Sequence, residues 1–480
     1  MHPLLPAIVL VTTFAAPAAA APLQLSYAEA LQRAGEKNAM VLSAEIDVKV
    51  ADGAILAAGA TFEPRFTLTG STFSSTNEGQ FQFGDYNSET TGSTVATGIE
   101  QALPTGTALG VTYDASQQET IFTVKDLDQE FGEPAWDTKL AFTLSQSLLQ
   151  GHRLAYNLQT VRGARRARSV AEAQRQAVRE SALADAARAY WSLYYAVQIE
   201  KIALQGMDAA VGQQRVIRAL VTEGRLAAVE GTRMDATVGQ AERAVMEASS
   251  AADASANTLL LLLGEMPGQP VELTSPPAAP PELSLHAEAV VEAVLSGNPD
   301  LLALRIAADA KHEAVRDGRH GLLPQLDATA TYGLRGYDKT FSGSMGELGG
   351  ATLPEWTLGA RLDVPLFNLA DRGALQQRIA EASKAEIDVR SMQGVLSQQA
   401  RAQVRTIASA RRMVELARIG VTLAEQTLSA EKANVLEGRV IQTQLTTALK
   451  DLDTARADAE KALTDYQIAV VELQRLKGSL

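Results

Sequence analysis

Cysteine is absent from all 480 residues, which excludes disulfides, thiolate metal sites and a lipidated N-terminal cysteine. Histidine is scarce, and the five present (His2, His152, His286, His312 and His320) have no metal-ligand arrangement. No phosphate-binding loop or nucleophile motif accompanies them, so the chain reads as a non-enzyme without metal or cofactor. Basic excess is missing too. A net charge of −13 and a pI near 5.1 leave no footprint for nucleic acid. Aromatics make up only 5%, poor for a large compact core but normal for long alanine-rich helices. Beyond the N-terminus no run reaches about 18 consecutive apolar residues, so the mature chain has no transmembrane helix. If it crosses a membrane, it must do so as a closed β-barrel.

The one long apolar run is N-terminal. "LLPAIVLVTTFAAPAAA" ends in Ala18-Ala19-Ala20, a small-x-small cleavage signal. Residues 1–21 are read as a secretory signal peptide removed near Ala20 or Ala21, with a membrane anchor as the competing reading.

The rest of the chain is written twice. Asn38 precedes Pro64 by 26 residues, and Asn298 precedes Pro324 by the same 26. Gly224 precedes Gly264 by 40, and Gly438 precedes Gly478 by the same 40. Trp136 heads "WDTKLAFTLSQSLL" and Trp356 heads "WTLGARLDVPLF" in matching positions. The expected domains are a first repeat over 22–263, a proline-rich linker over 264–283 and a second repeat over 284–480. Six prolines forbid continuous helix in the linker. It is read as an extended segment along a surface, the alternative being a disordered tether.

After Pro64 and Pro324 the hydrophobic period changes to two. Leu326, Ala328, Ala330, Tyr332 and Leu334 share one face, with Asp327, Thr329, Thr331 and Gly333 opposite. Trp356, Leu358, Ala360, Leu362 and Val364 oppose Thr357, Gly359, Arg361 and Asp363. Trp136, Leu140, Phe142 and Leu144 likewise oppose Asp137, Lys139, Thr143 and Ser145. Any one such strand would suit a soluble sandwich. Charges on the polar face fit strands with apolar residues out and polar residues in, as a water-filled membrane barrel requires. The first half carries extra strand-like text, "GSTVATGIEQA" and "GTALGVTYDAS", around a turn at Leu103–Gly106. It therefore gives either four strands to the barrel, or two with the hairpin as an outer loop.

The remainder is helical: Leu154 to Thr222 and Ala374 to Leu436, with return segments Ala227 to Leu263 and Val440 to Lys477. Each long helix would run about 95–105 Å at ~1.5 Å per residue. Helix lengths close if Ala227–Leu263 stacks with Ala287–Gly318, and Val440–Lys477 with Tyr27–Gly59. Val414, Ala417, Val421, Ala424 and Leu428 form one apolar stripe; Met413, Leu416, Gly420, Leu423 and Thr427 form a second beside it. Two stripes let each helix touch a neighbour on either side, as in a hollow α-barrel. Glu223-Gly224-Arg225 and Glu437-Gly438-Arg439 then lie where a long helix stops and a return helix begins, glycine serving the left-handed C-terminal position.

This order resembles the TolC-like outer membrane efflux protein family (outer membrane factors), over nearly the whole mature chain. "LSQSLLQG" at Leu144–Gly151 and "LDVPLFN" at Leu362–Asn368 are similar to its strand-to-helix signature, and "AYWSLYYA" at Ala189–Ala196 to its aromatic site. The resemblance implies an α+β membrane protein with a tandem internal duplication. Its long antiparallel helices would form a periplasmic α-barrel, and its transmembrane β-strands would join a shared trimeric β-barrel. It implies a homotrimer in the outer membrane of a Gram-negative bacterium, not lipidated, in contact with outer-membrane lipid. Glu223, Gly224, Arg225, Glu437, Gly438 and Arg439 would be hairpin tips that dock a periplasmic adaptor. The adaptor would join the channel to an inner-membrane transporter of the RND, ABC or MFS type, for efflux or type I secretion. Asp327, Thr329, Thr331, Thr357, Arg361 and Asp363 would face the barrel lumen. The family often carries carboxylates just past the second turn; here the positions are Gln444 and Thr447, with Glu230 matching in the first half. That departure puts an aspartate ring in doubt. The rival function is a periplasmic adaptor, which would have one hairpin and no membrane-length alternating strands.

Overall fold

The computed structural model describes residues 22–81, 84–124, 129–131, 133–281, 286–436 and 442–480. The expected signal peptide at 1–21 and the turn Glu437, Gly438 and Arg439 lie outside the described residues. In chain order the elements are β1 (Leu23–Leu25), α1 (Tyr27–Lys37), α2 (Ala39–Gly59), β2 (Arg65–Phe81), β3 (Gly84–Ala102), β4 (Thr107–Val124), β5 (Gln129–Phe131) and β6 (Ala135–Ser147). Then come α3 (Leu154–Asn157), α4 (Gln159–Thr222), α5 (Ala228–Leu262), β7 (Val271–Leu273), α6 (Ala287–Gly297) and α7 (Pro299–His320). The chain continues through β8 (Gln325–Asp338), α8 (Phe341–Gly349), β9 (Leu353–Asp363), α9 (Leu369–Leu436) and α10 (Gln442–Lys477). No described helix is long and apolar enough to cross a membrane.

The chain divides into two compact units, each drawn from both halves of the sequence. The first comprises residues up to Asp47, Glu172–Leu302 and Arg390–Leu480; the second comprises Val48–Ala171 and Ala303–Val389.

The first unit is helical around an aromatic core. Tyr190 and Trp191 of α4 are buried with Leu25, Leu193, Leu259, Leu263 and Val471. Tyr27 stacks on Trp191, ring centroids 5.0 Å apart, and meets Tyr190 edge-on at 5.5 Å. This cluster is the "AYWSLYYA" stretch at work: large rings supply burial where most helical positions carry alanine. It also fastens the proline-rich segment. The Tyr190 hydroxyl accepts from the Ser275 amide at 3.2 Å and donates to the Ser275 carbonyl at 3.1 Å. Beside it β7 pairs in parallel with β1, Leu23 opposite Val271. The Thr274 amide donates to the Leu25 carbonyl at 3.0 Å and Gln467 Nε2 to the Ala278 carbonyl at 2.8 Å, so the segment is tied down at several points.

Three helix ends in this unit close on a left-handed glycine. Gly224, Gly264 and Gly478 have φ of +73°, +70° and +66°. Behind each glycine the next amide reaches back to the last helical turn: Arg225 to Leu220 at 2.9 Å, Glu265 to Leu260 at 2.9 Å and Ser479 to Gln474 at 3.1 Å. These are Schellman closures, which only a residue tolerant of left-handed φ makes cheaply.

The stacking of short helices differs from the sequence expectation. Tyr27–Gly59 and Ala287–Gly318 are not continuous; each is broken at an asparagine, Asn38 and Asn298, whose backbone is extended. The return helix α5 ends against the Asn38 break, and α10 against the Asn298 break, the reverse of the pairing inferred from lengths. Asn38 Nδ2 donates to the Leu262 carbonyl at 2.9 Å, and Asn298 Nδ2 to the Leu476 carbonyl at 3.2 Å. Each Oδ1 accepts an amide of the next helix, from Met40 at 2.9 Å and Leu301 at 3.0 Å. Both asparagines are buried. One side chain thus satisfies the end of one helix and the start of another, and that chemistry selects the partner where matched length could not.

The second unit is built on an antiparallel sheet in the order β2-β3-β4-β6-β8-β9, with short β5 beside β4. "GSTVATGIEQA" is sheet throughout and "GTALGVTYDAS" is sheet from Thr107 on, so the first half supplies four long strands. They turn at Leu103–Gly106, where Gly106 has φ +78° and a Cβ would lie 2.2 Å from the Gly151 carbonyl. Helix α8 packs over one end of the sheet, where Thr138 and Ser344 hydroxyls meet at 2.6 Å in a buried contact.

Candidate channel surfaces and docking turn

The sheet has two chemically distinct faces, fixed by register. Leu140 pairs with Leu334, Phe142 with Tyr332 and Leu144 with Ala330. Tyr332 pairs with Trp356, Ala330 with Leu358, and Leu326 with Leu362. Paired residues project to the same side of a sheet. The apolar set continues through the other strands: Phe142 opposite Val111, Val111 opposite Ile99, and Ile99 opposite Phe66. Leu68, Val95, Leu109 and Phe142 are exposed, as are Trp356 and Leu358 at 72% each. A band of exposed large apolar side chains across six strands is not a water-facing surface.

The other face is polar. Asp327 pairs with Arg361, Thr329 with Gly359 and Thr331 with Thr357, and Asp363 closes the same row of alternating positions. All six residues expected on the lumen side therefore share one face. They are joined there by Arg335, which makes hydrogen bonds of 2.9 and 2.6 Å to both oxygens of Asp137, and by the Lys139–Glu355 ion pair.

In the helical unit, Glu223-Gly224-Arg225 forms an exposed turn. A Cβ at Gly224 would meet nothing within 4 Å, so glycine is present for its φ and not for space. Arg225 lies 3.6 Å from Glu223, with both side chains largely in solvent, a pairing worth little. Beneath the turn Ile217, Met234 and Val238 are buried with Leu226 packed against them, which fixes the turn's base. Glu230 sits in the first turn of α5, bonded to Arg233 at 2.8 Å. Gln444 and Thr447 lie on the exposed side of α10, while Leu445, Ala448 and Leu452 bury against Leu428 of α9.

The two stripes of α9 separate in burial. Val414 and Leu428 of the first stripe are buried, the α10 contact accounting for Leu428. Met413, Leu416 and Leu423 of the second are exposed at 55%, 46% and 62%. Among the described residues no helix covers this second stripe, the pattern left for an intermolecular seam.

Two carboxylates on α10 escape a reading of the sequence. Burial pushes Glu460 and Asp453 up from the ordinary carboxylate range, with Lys201 opposing the shift for Glu460 and Arg456 for Asp453. Among the described residues Glu460 Oε2 has no hydrogen-bond partner. Nothing in the local sequence marks either residue, because burial depends on α4 approaching closely. Gly206 of α4 permits that approach: a Cβ there would lie 3.0 Å from Asp453 Oδ2.

Among the described residues no group of three or more His, Cys, Asp or Glu side chains is placed to hold a metal ion.

Comparison with known proteins converges on one class. The family profile described as "Outer membrane efflux protein" matches residues 290–479. The outer membrane efflux protein BepC of Brucella suis biovar 1 (strain 1330) is 25% identical over 346 residues, 71% of this chain and 70% of BepC. Among solved structures, CusC aligns over 95% of this chain and 92% of its own at 14% identity, with a TM-score of 0.72. The Campylobacter jejuni CmeC outer membrane channel aligns over 94% and 85% at 13% identity, with a TM-score of 0.68. Proteins of this family are channels and not enzymes. The alternative of a periplasmic adaptor finds no support in any of these matches. Residues 290–479 match the outer membrane efflux protein family, the fold is that of the TolC-like outer-membrane channels, and the chain is an outer-membrane channel component of a tripartite efflux system with a large periplasmic part.

Proposed function

We propose that the chain works as a homotrimeric, passive conduit with no nucleotide chemistry of its own. The observation that carries this reading is the two-faced sheet. Its apolar band is left exposed among the described residues, and its polar face carries Asp327, Arg361, Asp363, Arg335 and Asp137. Closed with copies of itself, such a sheet places the band in lipid and the charges around water. The exposed stripe Met413–Leu416–Leu423 supplies a second, helical seam between copies.

The turn at Gly224, together with Glu437, Gly438 and Arg439 that the duplication matches to it, docks a periplasmic adaptor, through which an inner-membrane transporter of the RND, ABC or MFS type, or a type I secretion system, supplies energy. Glu230, Gln444 and Thr447 line the periplasmic entrance; with two neutral residues among the three, it is less acidic than a carboxylate ring would be. The test is loss of export on deletion of the gene. Toxic drugs, metal ions and a secreted polypeptide are assayed in parallel, with outer-membrane fractionation of the restored protein. Restored export of none of them, or recovery in the inner membrane, would sink the proposal.

A further inference from the structure

We infer that each subunit places six strands in the shared barrel, eighteen in a trimer of three such subunits, and that β9 of one copy pairs with β2 of the next. The inference rests on the trimeric reading above and adds the seam and the strand number.

One face pattern runs through all six strands. A hairpin folded outside a barrel has no reason to continue the barrel's alternation. The strands β2 and β3 do continue it: Phe66, Leu68, Val95 and Ile99 are exposed and lie on the same side as Val111, Phe142 and Tyr332. Across the sheet from them stand Arg65, Thr67, Thr69, Gly98 and Glu100. The turn at Leu103–Gly106 also sits at the helix-proximal end, where the Leu103 amide reaches the Thr107 carbonyl at 2.7 Å and Ser147 reaches Gly106 at 3.0 Å. So β3 and β4 run the full length of the sheet.

The strands are also staggered as a barrel requires. One row of paired residues runs Arg65, Glu100, Gly110, Thr143, Thr331, Thr357 across all six strands. On β2 this row is the first residue after the helix; on β9 it lies six residues short of the helix-proximal end, Asp363. The strands between fall at graded offsets, since β4 begins at Thr107, three residues before Gly110, and β6 ends at Ser147, four past Thr143. Six residues of climb is about 20 Å and five strand steps about 24 Å, giving a tilt of about 40°. Membrane barrels tilt by roughly 35–45°. The six strands therefore have the shear of a barrel wall from one edge to the other, β2 and β3 included.

The two edges define the seam. Among the described residues β2 and β9 each present an unpaired backbone row, which a membrane does not tolerate. They run antiparallel, since β2 leaves a helix and β9 enters one. Equal depth of the helix-proximal ends brings Asp363 opposite Arg65. This register also satisfies the faces: Leu362 meets Phe66, Ala360 meets Leu68 and Leu358 meets Gly70 on the apolar side, and Arg361 meets Thr67 on the polar side. It sets opposite charges, Asp363 and Arg65, across the seam. A barrel of about 16–18 strands leaves an aqueous channel, so the wider ring suits a conduit.

The native chain has no cysteine, so the seam can be read directly. Ala360→Cys and Leu68→Cys in one chain sit at opposite edges of the subunit's sheet, and can bond only between copies. Oxidation of the assembled protein in outer membranes should carry most of the chain into a covalent trimer on a non-reducing gel, collapsed by reductant. Native mass measurement of the same sample reports the trimer independently of the bond. In a ring that leaves β2 and β3 outside, β9 meets β4 instead, and Ala360→Cys bonds with Val111→Cys. That outcome, or an intact trimer with neither bond, would overturn the inference while leaving the channel reading in place. A bonded ring of another size would overturn the eighteen-strand count and the trimer together. Electron cryomicroscopy of the assembly gives the strand number directly, and any count other than eighteen refutes it.

Discussion

The side-chain amide of Asn38 donates to the carbonyl oxygen of Leu262 across 2.9 Å, joining helices 224 residues apart in sequence. Asn298 makes the equivalent bond to Leu476 in the second repeat at 3.2 Å. Both residues are buried, so water cannot replace either bond. Asn38→Ala or Asn298→Ala leaves a helix-end carbonyl and a helix-start amide unsatisfied, at a cost of about 2–3 kcal/mol. Asn298→Asp keeps the acceptor for Leu301 but sets a carboxylate oxygen against a carbonyl, and should be at least as harmful. Thermal unfolding of the purified channel, with protease sensitivity at the joint, tests this. Variants as stable as wild type would show that the joints are held by packing alone.

The glycines divide into two kinds with different expected penalties. At Gly224 a side chain meets open space, so only φ resists substitution. Gly224→Val costs about 1–2 kcal/mol locally, and Gly224→Asn should cost less, because asparagine enters the left-handed region more readily. Export and adaptor crosslinking should fall in the order Gly, Asn, Val while assembly is retained. The duplication predicts the same at Gly438. At Gly264 a Cβ would lie 2.5 Å from the Lys37 carbonyl, so even Gly264→Ala should disturb the joint beside Asn38 and lower stability. Normal export and crosslinking by Gly224→Val at wild-type abundance would reduce the turn to a tolerated helix break.

Glu460 gives a pH-dependent expectation. Burial raises its folded-state value above that of the unfolded chain. The folded state therefore holds the proton more tightly, and the carboxylate opposes folding at neutral pH. The opposition is relieved as pH falls through the raised value, and is gone below the unfolded value of about 4.3. Glu460→Gln should unfold at a higher temperature than wild type at pH 8, with the difference shrinking toward pH 4. A variant less stable at every pH would mean that attraction to Lys201 outweighs the burial.

Periodicity makes the long elements legible. The helix from Leu154 to Thr222 is α3 and α4, and Ala374 to Leu436 lies within α9. Alternation gives the correct faces in β6, β8 and β9 because one residue of slip would move every side chain to the wrong side. Two features are not legible. Matched lengths do not tell which short helix each return helix meets, since lengths match either way; the buried amides of Asn38 and Asn298 decide it. Both residues stand out in the sequence as repeat markers, but spacing assigns them no role. The extra hairpin is recognisable as strand text, but its pairing with β2 and β6 is a long-range choice. In the helical unit, the burial of Asp453 goes with close approach at Gly206, a relation across more than two hundred residues.

The two faces of the sheet should separate by chemistry. Leu358 and Leu362 pair with Ala330 and Leu326 on the apolar side, while Thr357 and Arg361 pair with Thr331 and Asp327 on the polar side. In intact outer membranes, Thr357→Cys and Arg361→Cys should react with a charged, membrane-impermeant thiol reagent that enters through water. Leu358→Cys and Leu362→Cys should resist it and react with a lipid-soluble maleimide. The same alternation should hold in β2, with Thr67→Cys reached by the charged reagent and Leu68→Cys shielded from it. In each strand one residue of displacement should reverse the outcome, because successive side chains point to opposite sides. Detergent-unfolded protein provides the control, since all six cysteines should then react alike. Equal reaction with the charged reagent at all six positions in the assembled channel would exclude this register, and the apolar band would then need a protein partner instead of lipid.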